Sequence, residues 1–198
     1  MNPQNIYDYN EYLLVLNPHE DLCNKIFEIK KEFSRNYKAL TAIYSKPHVT
    51  LVNFLQFEMR EERLVNHLNN VAASYHPFKI DLKDYGSFPT HSIFINVASK
   101  LPVKNLIKEL KPAQHLMTLD KENKPHFIDN PYLTISRGLL PWQYEKGWLE
   151  FSHRHFTGRF VANNMLLMKR KKGEKYQLVK KFDFLDLPPK AQPAELFI

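Results

Sequence analysis

Cysteine and glycine are both scarce in this chain, and long apolar runs are missing. The single Cys23 excludes an internal disulfide framework and points to a reducing compartment. The five glycines, Gly86, Gly138, Gly147, Gly158 and Gly173, are scattered, so no glycine-rich loop is available to cradle a nucleotide's phosphates. No apolar stretch approaches the roughly 18–20 residues that a membrane span needs, which argues against a membrane protein. Met1-Asn2-Pro3-Gln4 lacks the basic start and apolar stretch of a signal peptide, and a cytoplasmic location is expected. Nine histidines occur without a His-Glu-x-x-His or similar spacing, which gives a metal site little support.

What the chain does have is ample material for a packed interior, with 43% apolar and 13% aromatic residues in 198. That length suits one domain, or two small halves sharing a core. A formal charge of +7 favours polyanions such as RNA or phosphate esters through long-range attraction.

Periodicity lays out the elements. Tyr12–Leu16 reads as a buried strand. Leu22, Ile26, Ile29 and Phe33 recur at helical spacing to about Tyr37, behind acidic residues suited to a helix start. A strand follows over Pro47–Phe54, a helix over Glu58–Ala73 and an alternating strand over Phe78–Leu82. The order then repeats: a strand over Ser92–Val97, helical material from Pro102 to Leu119 broken at Pro112, a strand over Pro131–Ser136, and a helix opening at Pro141. Phe160–Met168 and Tyr176–Phe184 are expected to close the chain as a hairpin with Lys169 to Gly173 at its tip, where the basic run Lys169 to Lys172 reads first as a solvated tip and alternatively as a polyanion contact. The proline-bearing tail beyond Leu187 reads as a surface strap without regular structure.

Two pentapeptides stand at matching points of this repeat, Pro47-His48-Val49-Thr50-Leu51 and Pro131-Tyr132-Leu133-Thr134-Ile135. Both read Pro, ring, apolar, Thr, apolar. In a strand the side chains alternate, so His48 and Thr50 share one face and Val49 and Leu51 the other, with Tyr132 and Thr134 set against Leu133 and Ile135 in the same way. An apolar back and a ring-and-hydroxyl front suit a strand that packs on helices and lines a cleft.

On these motifs the chain resembles the two-histidine (2H) phosphoesterase superfamily, the bacterial 2′,5′-RNA ligase and cyclic phosphodiesterase family. Lys46-Pro47-His48-Val49-Thr50-Leu51 matches the first family motif, and Asn130-Pro131-Tyr132-Leu133-Thr134-Ile135-Ser136-Arg137 matches the second, including its trailing basic residue. The resemblance covers roughly residues 8 to 185. It implies an α+β fold of duplicated strand-helix-strand-helix-strand halves, about 8–88 and 89–185, with two antiparallel sheets facing across a cleft and helices outside. Residues 186–198 would form a C-terminal extension. It further implies an RNA or nucleotide phosphodiester as partner, a monomer, and acid–base chemistry that needs no metal and no other cofactor.

The departure from the family lies at Tyr132, where the second motif should carry His. The family's reaction uses one imidazole as base and the other as acid, a role that a pKa near ~6.5 suits at neutral pH. A phenol, with a reference pKa near ~10, can donate a hydrogen bond to phosphate but makes a poor base. The resemblance therefore assigns His48 as the retained acid/base, Thr50 and Thr134 as phosphate ligands, and Tyr132 as a phenolic replacement. His126, in Lys124-Pro125-His126-Phe127, is a candidate to reach the cleft from the preceding loop. Arg137 is a second candidate for substrate binding, although alternation sends it to the face opposite Tyr132 unless the strand bulges or ends. Two function classes stay open: a metal-independent phosphodiesterase with weakened activity, and a non-catalytic RNA- or nucleotide-binding module using the same cleft.

Overall fold

The structure is a computed structural model and describes residues 9–188; the expected domain start at residue 8 and the extension's residues 189–198 lie outside the described residues. The chain runs β1 (Tyr9–Leu16), α1 (Glu20–Tyr37), β2 (Val49–Phe57), α2 (Glu61–Ser74) and β3 (Phe78–Phe88), then β4 (Ser92–Val97), α3 (Lys100–Leu110), the short α4 (Gln114–Met117), β5 (His126–Phe127), β6 (Tyr132–Arg137), α5 (Pro141–Phe151), β7 (Thr157–Ala162), β8 (Asn164–Arg170) and β9 (Gln177–Asp183). Among the described residues no helix is long and apolar enough to cross a membrane.

All the strands pair antiparallel, in the order β7-β3-β4-β6-β2-β1-β8-β9, with β5 attached to β2. The two expected sheets are two four-stranded wings, β7-β3-β4-β6 and β2-β1-β8-β9, curled into a half-barrel and joined where β6 meets β2. That junction is a single antiparallel pair, Val49 with Leu133. The strand order is palindromic about the junction. β2 and β6 are the inner strands, β1 and β4 follow them, and each half of the chain sends strands into the opposite wing, β3 beside β4, and β8 with β9 beside β1. The helices follow the same exchange: α1 and α5 pack behind β6 and β4, and α2 and α3 behind the wing of β2.

One core lies between sheet and helices. Val49, Leu51, Leu133 and Ile135 are fully buried in it, as their alternation requires. So are Ile26 and Phe33 of α1, Leu64 and Leu68 of α2, and Val103 and Leu106 of α3, each pair on one helical stripe. The opposite, helix-free face of the two inner strands is the cleft.

Three features depart from the expected pattern. The stretch from Phe160 to Met168 is not one strand. It breaks at Asn163, and β7 pairs with β3 in one wing while β8 pairs with β1 and β9 in the other. Lys169 and Arg170 are not at the hairpin tip but within β8, where Lys169 bonds Glu58 and Glu61 at 2.6 and 2.8 Å and Arg170 bonds Glu11 at 2.6 Å. β3 continues well past Leu82, because an extra residue, Asp84 at φ 52°, bulges out and resets its alternation. After β9 the chain crosses the end of α2, where the Leu187 and Asp186 amides donate to the Ala73 and Tyr75 carbonyls at 2.8 and 3.1 Å. These bonds satisfy carbonyls that a helix end leaves without partners.

Candidate active site

Both motif strands carry a bulge at the same place. Along β2 the partners on β1 step from Thr50 to Val52, leaving Leu51 as the extra residue; along β6 the partners on β4 step from Thr134 to Ser136, leaving Ile135 extra. A bulge puts two consecutive side chains on one side of the sheet and restores alternation one residue late. Leu51 and Val52 are accordingly both buried, as are Ile135 and Ser136, and the next residues, Asn53 and Arg137, emerge on the cleft face. Simple alternation had sent Arg137 to the far face; the bulge brings it to the side of Tyr132 and Thr134.

The single pair at the junction fixes how the motifs meet. With Val49 opposite Leu133 in antiparallel register, His48 stands across from Thr134 and Thr50 across from Tyr132. All four side chains rise from one patch of cleft floor, and all four are half-buried. Among the described residues neither threonine hydroxyl has a hydrogen-bond partner, so both are available to a ligand.

His48 is held by the loop that precedes it. Its Nδ1 lies 2.7 Å from the Lys46 carbonyl oxygen. A carbonyl can only accept, so the proton sits on Nδ1 and Nε2 presents a bare lone pair. Burial pulls the imidazole down to about 4, with the charges of Lys30 and Arg137 adding to the shift and the Lys46 carbonyl opposing it. The ring is therefore neutral at pH 7 and equipped to take a proton. The loop itself is anchored from α1: the Lys30 ammonium, 1% exposed, donates to the Ser45 carbonyl at 2.8 Å and to its hydroxyl at 3.3 Å. Cys23 Sγ approaches the Pro47 carbonyl at 3.8 Å. Burial and the neighbouring Arg137 charge lower Lys30 to about 8. The inward position of Lys30 was missed in the sequence, though it falls four residues after Ile26 and three before Phe33, on the buried stripe.

Tyr132 has different company. Its ring centroid lies 4.8 Å from that of Phe94 and 5.2 Å from that of Phe88. His126 pairs with Asn53 on β2 and so shares the cleft face, but it is exposed and five positions along the strand from His48, about 13–16 Å away. That is too far to complete an acid–base pair with His48 on one bond. Arg137 is closer to the centre, within electrostatic reach of His48, Lys30 and Tyr176, and the Thr41 hydroxyl donates to its carbonyl at 2.9 Å. Asn17, one step beyond the Leu16–Val49 pair and thus beside His48, has a buried Oδ1 without a partner among the described residues. Nothing in its local sequence had marked it.

The model of the 2′-5′ RNA ligase superfamily matches residues 18–174 of this chain. No curated protein matches it in sequence. Among solved structures, TT0787 of Thermus thermophilus superposes with a TM-score of 0.63 at 16% identity, covering 88% of this chain and 98% of its own. E. coli LigT in apo form gives 0.62 at 11% identity, and LigT complexed with 3′-AMP gives 0.60 at 13%, each covering 89% of this chain and 98% of its own. At these identities the structures speak for the fold alone.

Proposed function

The chain belongs to the 2′-5′ RNA ligase superfamily, and on that premise we propose that its cleft binds and slowly cleaves a nucleotide or RNA phosphodiester, with His48 as general base. The observation that carries the reading is the state of His48. It is a neutral imidazole with Nδ1–H tied to Lys46 and Nε2 bare, on the face that also presents two unpartnered threonine hydroxyls. The E. coli LigT complex with 3′-AMP supports a nucleotide as the kind of ligand. The reading takes the chain as a cytosolic monomer.

In this reaction the phosphate lies between Thr50 and Thr134, whose hydroxyls donate to its non-bridging oxygens as charge builds on them. A water oxygen attacks phosphorus and gives its proton to His48 Nε2. The bond from phosphorus to the ribose oxygen breaks with its electron pair, and that oxygen takes a proton from the Tyr132 hydroxyl or from water. Both proton transfers are reluctant. An imidazole held near 4 accepts a proton weakly, and a phenol releases one weakly at pH 7. Slow turnover follows from the two together. The packing of Tyr132 against Phe88 and Phe94 favours a second reading, a binding module that uses the same cleft without turnover.

Titration with a 2′,3′-cyclic nucleotide tests the site. Binding is expected to weaken with added salt and in the Thr50→Val, Thr134→Val double variant. If the double variant binds as tightly as the parent, the hydroxyls are structural and the phosphate lies elsewhere.

A further inference from the structure

The two motif strands are pseudo-equivalent, yet the walls they give the cleft differ. Aligned by their ladders about the bulges, Val15 corresponds to Phe94 and His48 to Tyr132. The β2 side of the floor is an imidazole beside an isopropyl group. The β6 side carries three aromatic rings: Phe94 lies 4.8 Å from Tyr132 and 4.8 Å from Phe88, and Phe88 lies 5.2 Å from Tyr132 at 77° to it, with the His91 imidazole nearly parallel to Phe88 at 6.3 Å.

These rings are not part of the interior. Ile93 and Ile95 of β4 are fully buried in the helix-covered core, whereas Phe94 between them points the other way, across from Thr134, and packs outside that core. Phe94 is 5% exposed beneath its two neighbours, while Phe88 and Tyr132 stay half-buried at the surface of the cleft. Room for the lowest ring is provided by Gly86, its partner on β3, where an added Cβ would lie 2.5 Å from Phe94 Cε2. The result is a supported aromatic surface beside a pair of free hydroxyls, with Arg137 on the same face.

The geometry points to a nucleobase platform: Phe88 and Tyr132, their planes 77° apart, form a corner backed by Phe94, in which the base of the nucleotide whose phosphate sits between Thr50 and Thr134 stacks on the face of Tyr132 and meets Phe88 at its edge. This rests on the phosphodiester reading above and deepens it. Every base offers a flat π-face to an aromatic side chain, and only a ligand that joins such a face to a phosphate uses both parts of the surface. The platform also accounts for a ring without an imidazole's chemistry at 132, since a phenol stacks as well as it donates. It orients the substrate too. With the base on the β6 side, the ribose oxygens fall toward Tyr132 and the open side of phosphorus faces His48.

Calorimetric titration with two ligands tests it: adenosine 2′,3′-cyclic phosphate, and methyl riboside 2,3-cyclic phosphate, which has the same phosphate and no base. Stacking on an aromatic side chain favours the base-bearing ligand by about 5- to 150-fold. The wild type is expected to show a ratio in that range, and Phe88→Leu to bring it toward one. Tyr132→Phe, which keeps the ring, should hold the ratio, and Tyr132→Leu should lower it, so the result does not hang on one variant's folding. A wild-type ratio near one, or a ratio unmoved in Phe88→Leu and Tyr132→Leu, overturns the platform; binding of the base-free ligand then leaves the phosphodiester reading standing. If neither ligand binds the wild type, both readings fall together.

Discussion

Replacing Lys30 with Met would remove a buried ammonium and keep most of its volume. In the native protein this group is 1% exposed, donates twice to Ser45, and helps hold the His48 imidazole at about 4. From the Ser45 contact and the three residues that follow, its charge lies on the order of 9 Å from the ring. At an effective dielectric of about 20–40 the repulsion between ammonium and imidazolium is about 0.9–1.8 kcal/mol, or about 0.7–1.4 pH units. Lys30→Met should therefore move His48 from about 4 to about 5, still below the reference value because burial, the largest cause, remains. NMR titration of the His48 ring protons reads this directly. The same substitution alters the stability profile. Lys30 titrates at about 8 folded against about 10.5 unfolded, so the unfolded chain binds more protons between these values and native stability rises with pH across that window. The variant should lack that rise. A His48 pKa at or above 6.5 in the native protein, or one unmoved by Lys30→Met, would refute the electrostatic reasoning about this loop.

Two further substitutions probe how the scaffold holds the site. Gly86→Ala drives a methyl group into the Phe94 ring, which Phe88 and Tyr132 keep from moving aside; a loss of about 1–3 kcal/mol is expected by thermal or denaturant unfolding. Gln143→Ala removes a buried amide that donates to the Tyr37 and Lys38 carbonyls, both at 3.0 Å, and accepts from the Leu140 amide at 2.9 Å. Leaving those groups without partners should cost about 2–4 kcal/mol, and hydrogen exchange should quicken first where α1 ends against α5.

Alternation in the two pentapeptides was enough to place Val49, Leu51, Leu133 and Ile135 in the core and His48, Thr50, Tyr132 and Thr134 on the face opposite. That much is local, because a strand's two faces are set by its own pleat. The bulges at Leu51 and Ile135 were not legible. Both fall inside aliphatic runs with no Gly or Pro to mark them, and a bulge exists only relative to the strand it pairs with. Without them the face of Arg137 was read from simple alternation, and Asn53 drew no attention. Asn163-Asn164 was a turn signal that the surrounding apolar residues hid, which merged β7 with β8. Lys30 was masked by its charge, since a lysine on a buried stripe is rare unless something pairs with it. The aromatic wall was legible only in part: Phe88 could be named from the sequence as a possible base-stacking group, beside Trp142, Tyr144 and Tyr85, but Phe88, Phe94 and Tyr132 come from three strands, and only the exchanged topology brings them together.

Hydrolysis of a 2′,3′-cyclic nucleotide by the wild type and by Tyr132→His, each with and without His48→Ala, followed from pH 4 to pH 9, tests the central claim most directly. If His48 is the base of a phosphodiesterase site whose acid has been exchanged for a phenol, the wild type turns over slowly. Restoring an imidazole at 132 then raises the rate by at least about tenfold, a partial recovery of the ~10²–10⁴ that a positioned acid–base group contributes. Both activities vanish with His48→Ala, and the Tyr132→His profile is bell-shaped. A wild type that loses activity on Tyr132→His, or a rate indifferent to His48→Ala, would contradict the account.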